Sequence, residues 1–216
     1  MHKYGKIKNL YKFDPETKGR LGVYTDPAFE HLEGANWHLT EKIDGTNIRL
    51  IFDNDGRMEI RGRSDKAQLD GELVENIERQ MHGVLKMYNK TIYGEGCGEG
   101  IQKGGRYGKK HFVAFDLYDN VPGRFWLRQT AFELFDAYGI RRVPVVAHLP
   151  NPDPNLWVAY YLVQEGMISQ YAGDGELAEG IVAVPMADIL DGNGERIIVK
   201  IKTRDYYRKQ LVPHIG

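Results

Sequence analysis

One cysteine, Cys97, in a chain of 216 residues leaves no partner for an internal disulfide. Cysteine used so sparingly suits a reducing compartment. No apolar run reaches the roughly 18 residues of a membrane-spanning helix, and the polar N-terminus lacks the apolar core of a secretory signal. Neither sign of charge dominates. The formal net charge is −1, so no overall basic excess announces a nucleic-acid partner, although a local basic face is enough to contact phosphates. No repeat and no low-complexity linker divides the chain. The expectation is one domain over residues 1–216, cytoplasmic, monomeric and without a membrane partner.

What is present reads as strands and hairpins with a few helices. Residues 46–53 and 57–63 alternate as strands around Asn54-Asp55-Gly56, a hairpin turn. Asp53-Asn54-Asp55-Gly56 lacks calcium-loop spacing and reads as a turn. Leu73, Ile77, Met81, Val84 and Leu85 recur at helical spacing within residues 70–89. His82 in that segment has no second ligand nearby in sequence. Residues 111–119 predict a strand, 127–138 a helix stopped by Gly139, 142–148 a strand, and 156–164 a helix after the proline-rich residues 150–154. Residues 180–184 and 196–202 predict strands around Asp191-Gly192-Asn193-Gly194. The tail 204–210 is basic and aromatic and reads as a terminal helix, or as a segment that closes over ATP or lies along a nucleic-acid backbone. The class is α+β with mainly antiparallel sheets.

Two glycine-rich stretches invite a phosphate-loop reading and fail it. Residues 104–110 have Lys110 where a P-loop needs Ser or Thr, and residues 94–100 have Glu99 in place of the third glycine of a dinucleotide fingerprint. Thr40-Glu41-Lys42-Ile43-Asp44-Gly45 is more informative. A lysine ahead of x-Asp-Gly can attack the α-phosphate of a nucleoside triphosphate. To do so it must be a neutral amine, and an ordinary lysine, with a pKa of about 10.4, is protonated at neutral pH.

The motif stands at the head of an ordered set: Arg61-Gly62-Arg63-Ser64, Tyr93-Gly94-Glu95-Gly96, Ala114-Phe115-Asp116, Ala178-Glu179-Gly180-Ile181-Val182 and Val199-Lys200-Ile201-Lys202. Together these resemble the covalent nucleotidyltransferase superfamily of polynucleotide ligases and capping enzymes. Within it the chain is most similar to ATP-dependent RNA ligases of the phage nick-sealing and RNA-editing type. The resemblance implies an ATP-grasp-like nucleotidyltransferase domain of antiparallel sheets flanked by helices, with the nucleotide between them. It implies ATP and Mg²⁺ (or Mn²⁺) as cofactors, and RNA ends or nicked duplex RNA as partners. A small DNA ligase, a capping enzyme and a non-catalytic binding module are the alternatives.

Residue by residue, the resemblance implies that Lys42 carries AMP and that Arg63, with Arg61 as the competing choice, contacts sugar and phosphate. Glu95 would lie near ribose and metal, Phe115 would stack on adenine, and Glu179 would help hold the metal. Ile181 or Val182 would lie under the other face of the base, and Lys200 and Lys202 would contact the α-phosphate. Glu41 would read the adenine amino group. Asp44 would either orient Lys42 or cap the turn before Gly45. The C-terminal OB or helical domain of larger relatives is absent from this pattern, which implies a minimal form.

Overall fold

The computed structural model describes residues 2–16, 20–84, 87–146, 155–173 and 175–206. In chain order it begins with β1 (Lys8–Asn9), β2 (Tyr11–Phe13), β3 (Arg20–Tyr24), α1 (Pro27–His31) and β4 (Trp37–Glu41). Next come β5 (Thr46–Phe52), β6 (Met58–Gly62), α2 (Gly71–Met81), β7 (Lys90–Cys97) and β8 (His111–Asp119). The remainder is β9 (Arg124–Phe125), α3 (Arg128–Ala137), α4 (Leu156–Gln164), β10 (Gly180–Pro185), β11 (Val199–Lys202) and α5 (Thr203–Tyr206). No helix among the described residues is long and apolar enough to cross a membrane.

The strands form two main sheets. One is antiparallel, in the order β6-β5-β7-β8-β9, and the other runs β1-β11-β10-β4, with only β1 and β11 parallel. A β2–β3 ribbon stands apart. Each sheet has its own core. Ile48, Leu50 and Phe112 of the five-stranded sheet pack with Leu73 and Ile77 of α2 and Phe135 of α3. Trp37, Leu39, Ile181, Ala183, Val199 and Ile201 pack with Leu156, Ala159 and Val163 of α4. The side-chain period of two in a strand therefore turns Lys200 and Lys202 of β11, and Val182 of β10, to the other face.

The hairpin at 53–57 forms as the sequence predicts, with the Asp53 carboxylate accepting from Asp55 and Arg57 N–H groups, both at 2.8 Å. Strand 111–119 and helix 156–164 match their expected bounds, and α3 runs to Ala137 with Tyr138 as its cap before Gly139, whose φ is 65°. Three elements differ. Helix α2 stops at Met81, because His82 has extended backbone and Gly83 sits at φ 83°; residues 85 and 86 lie outside the described residues. Residues 142–146 make only isolated bridges, Arg142 to Ala114 and Val145 to Thr40, rather than a strand. β11 begins at Val199, since Arg196 closes the preceding turn opposite Leu190. The proline-rich residues 150–154 and the tail beyond Tyr206 lie outside the described residues.

The glycine-rich residues 94–97 turn out to be strand, not loop. A Cβ on Gly94 would come within 2.3 Å of the Phe112 ring, and one on Gly96 within 2.7 Å of Leu73 Cδ2. Glycine is needed there for close packing of α2 and β8 rather than for a phosphate. Glu95, between them, is left on the opposite face.

Candidate active site

A cavity of about 370 Å³ lies between the two sheets. The four-stranded sheet contributes Glu41, Lys42, Val182 and Lys200, the five-stranded sheet and its flank contribute Asn47, Arg63, Glu95 and Phe115, and the N-terminal residues 4–7 form a third wall.

Lys42 follows β4, its backbone N–H bonded to the Gly180 carbonyl at 2.9 Å. Its Nζ donates to Glu179 Oε2 at 2.7 Å and to the Ile43 carbonyl at 3.2 Å. Lys202 Nζ donates to the other carboxylate oxygen, Oε1, at 2.8 Å. One carboxylate thus carries two ammonium groups. Burial pushes the Glu179 carboxyl up, but Lys42 and Lys202 outweigh it and hold the net value below the usual carboxylate range. Lys200 is half-buried, and burial with the neighbouring Lys202 and Lys42 charges pulls its ammonium below the ordinary lysine value.

Glu179, not Asp44, is the carboxylate bonded to Lys42. Asp44 is held through its backbone N–H, which donates to the Tyr107 hydroxyl at 3.2 Å. That contact fixes the backbone of the turn ahead of Gly45. The turn also explains Gly45, where a Cβ would stand 2.3 Å from the Gly96 carbonyl oxygen and 2.8 Å from Glu95 Cγ. The Lys42 loop is pressed against β7 at that point.

Glu95 is half-buried on β7, and burial, reinforced by the Glu179 and Asp44 charges and only partly opposed by Lys42, pushes its carboxyl up to about 7. A carboxyl whose charged form is disfavoured by burial and by the neighbouring Glu179 and Asp44 charges is one that a hard divalent cation would relieve. No group of three or more metal-ligating side chains is preassembled among the described residues. A cation bound by Glu95 and Glu179 would therefore complete its shell with phosphate and water oxygens, as Mg²⁺ does.

Phe115 reaches the cavity through a β-bulge. Tyr93 pairs with Asp116 and Gly94 with Ala114, which leaves Phe115 as the extra residue of β8 and re-aims its side chain. Its ring meets Tyr4 edge-on at 5.1 Å. Of the two candidate arginines, Arg63 lines the cavity, whereas Arg61 is held by Glu59 at 2.5 Å. Ile181 requires a correction: strand alternation buries it completely in the second core, and Val182 takes the cavity position. Glu41 borders the cavity, but its carboxylate already accepts from the Ser169 hydroxyl and, at 2.8 Å, from the Gln170 N–H.

Some groups escaped the sequence analysis. Asn47 lines the cavity with a buried Oδ1 that has no hydrogen-bond partner among the described residues; its signal was its place two residues past Gly45. Ser169 and Gln170 carry no motif at all. Beneath Phe115, the buried Asp116 accepts a bidentate pair of bonds from Arg128 and one from Arg196 Nη2, with Arg196 Nη1 2.8 Å from its Oδ2, and Tyr4 donates to it at 2.5 Å.

The sequence model of the RNA ligase family matches residues 35–202. No curated protein matches the chain in sequence. Among solved structures, a Naegleria gruberi RNA ligase mutant with ATP and Mn superposes with a TM-score of 0.65 at 18% identity, covering 93% of this chain and 59% of that one. The same ligase with PPi gives 0.64 at 18%, covering 93% and 60%. A mutant with AMP and Mn gives 0.64 at 18%, again covering 93% and 60%. The chain thus spans about 60% of the length of those ligase chains and shares their fold. By the match of its family model across most of its residues, the chain belongs to the RNA ligase family.

Proposed function

We propose that the chain is an ATP-dependent RNA ligase that joins 5′-phosphate and 3′-OH ends through a Lys42–AMP intermediate. The observation that carries this is the Lys42–Glu179–Lys202 arrangement at the edge of a cavity that also presents Lys200, Arg63, Phe115 and Val182. The ligands in the related structures, ATP, AMP, Mn and PPi, are those this sequence of steps requires.

In the first step Lys42 Nζ attacks the α-phosphorus of ATP. A P–N bond forms, the bridging P–O bond to the β-phosphate breaks, and its electron pair leaves with pyrophosphate. Two amine protons are lost, one through the Glu179 carboxylate to solvent and one to the departing pyrophosphate. Lys200 and Lys202 offset the charge that gathers on the α-phosphate, and Phe115 and Val182 enclose the base. A divalent cation held by Glu95 and Glu179 would add charge neutralisation at the phosphate. AMP then passes to the 5′-phosphate of an RNA end, or of a nick in duplex RNA, and a 3′-OH displaces it to form the phosphodiester.

Incubation with α-labelled ATP and Mg²⁺, followed by a denaturing gel, tests the reading. The expected result is a labelled band that is released by acid, resists mild alkali and is lost in Lys42→Ala. If the wild-type protein takes no label and mass spectrometry finds no AMP already attached, the ligase reading falls.

A further inference from the structure

The N-terminal wall of the cavity lies outside residues 35–202, where the family model matches, and none of the ligase motifs includes it. It is a strap tied at both ends to different sheets. On one side Tyr4 is buried, bonded to Asp116 at 2.5 Å and packed edge-on against Phe115, both on β8. The His2 carbonyl accepts from the Tyr93 hydroxyl at 2.7 Å, and the His2 ring stacks on Tyr118 at 4.6 Å. On the other side Lys8 and Asn9 pair with Val199 and Lys200 of β11. Gly5, Lys6 and Ile7 bridge the two anchors along the cavity edge.

Lys6 sits in the middle of that span and is exposed. Lys42 and Lys202 share the Glu179 carboxylate, whereas Lys6 has no hydrogen-bonding or ion-pair partner among the described residues. Its charge is close enough to Lys200 to disfavour that ammonium. Both lysines line the cavity, and cations that disfavour each other's charge are relieved by a bound polyanion. Lys6 lines the same cavity as Lys42, Phe115, Val182 and Lys200, so a triphosphate with its base between Phe115 and Val182 and its α-phosphate at Lys42 would bring its β- and γ-phosphates within reach of the strap.

We propose that Lys6, presented by the strap between Tyr4 and Lys8, binds the β,γ-phosphates of the nucleotide and orients pyrophosphate as the leaving group. This rests on the ligase reading above. Lys6 would place a positive charge on the bridging and terminal oxygens as the P–O bond to the β-phosphate breaks. The same contact would hold pyrophosphate for the reverse reaction.

The test separates the steps. Lys6→Ala should slow Lys42–AMP formation and raise the ATP concentration for half-maximal labelling, each about tenfold, the size expected for one charge-assisted contact. It should also raise about tenfold the pyrophosphate concentration needed to strip AMP from adenylylated enzyme. Joining of a chemically pre-adenylylated RNA end, which involves no pyrophosphate, should stay at the wild-type rate, and Lys6→Arg should recover most of the ATP step. An unchanged melting temperature checks that the exposed substitution leaves the fold intact. If the pyrophosphate dependence is unchanged, Lys6 does not bind these phosphates. If joining of the pre-adenylylated end falls as much as labelling, Lys6 contacts RNA instead and the proposal is overturned. Failure of the wild-type protein to form the adduct would overturn the ligase reading and this proposal with it, and it differs from both outcomes because it needs no variant.

Discussion

Two carboxylates, Glu179 and Asp116, each hold two cations, and they differ in almost everything else. Glu179 carries Lys42 and Lys202 at the cavity edge, with side chains 15%, 19% and 17% exposed. Asp116 carries Arg128 and Arg196 beneath the cavity floor, with side chains 1%, 2% and 14% exposed. Asp116 receives two bonds from Arg128, one from Arg196 and a fourth from Tyr4, so its lone pairs are filled. Burial favours its protonated form, but the two arginines overcome this and hold its carboxyl far below the usual range. Guanidinium stays charged at any working pH and docks as a rigid fork. That cluster can only join things, and it joins β8, α3, the segment before β11 and the N-terminal strap. Ammonium can give up a proton and leave its partner. The same charge pattern built from lysine is therefore suited to chemistry, and built from arginine to fixing the frame around it.

Exchanging the cation tests the contrast most severely. Lys42→Arg keeps the charge beside Glu179 but removes a deprotonatable amine, so labelling by ATP should vanish entirely while the melting temperature stays near that of wild type. An active arginine variant would show that the contrast is misplaced.

At the other cluster, Asp116→Asn should cost about 3–5 kcal/mol in urea unfolding, because two buried guanidiniums lose their counter-charge. The sign with pH follows from the depressed carboxyl. Its stabilisation is complete above the ordinary value of 3.8 and is lost as pH falls through the lower folded value. The gap between wild type and variant should therefore hold across neutral pH and narrow only in acid. A gap that is already closed at pH 6 would contradict the ionic account.

Glu95 supplies the intermediate case, a carboxyl near a cation but without an ion pair. Its value, raised from 4.5 to about 7, means that folding disfavours the charged form. The penalty is absent below about pH 4.5, grows between there and 7, and is complete above. In EDTA, Glu95→Gln should be more stable than wild type by on the order of 2 kcal/mol at pH 8 and no more stable at pH 4. Equal stability at both values would mean that the carboxyl is not strained. A gain in stability joined to a loss of divalent-dependent labelling would mark Glu95 as a group kept for function.

Much of this was legible in the chain. Lys42, Lys200 and Lys202 were identified from motif order alone, and the alternation of Val199, Lys200, Ile201 and Lys202 already put the two lysines on one face. The hairpin at 53–57 and helix α4 were readable because their signals are local: Asn54-Asp55-Gly56 between two strand-like runs, and a proline-rich stretch ahead of a helix. Strand β7 was not, since alternating glycines resemble a loop until Phe112 and Leu73 are seen pressing on them. Ile181 and Val182 could not be told apart without knowing which face of β10 meets α4. Phe115 reaches the cavity by a bulge that depends on the register with β7, a property of two strands rather than one.

By itself the sequence determined the order of the ligase motifs, the α+β class and the lysine that stands ahead of Asp-Gly, because these are set by residue type and near spacing. Only the tertiary structure decided that Glu179 rather than Asp44 holds Lys42, that Arg63 rather than Arg61 faces the cavity, and that residues 4–7 form its third wall. Those depend on which distant segments the two cores bring within a hydrogen bond of each other, and a side chain 137 positions away leaves no local trace in the chain.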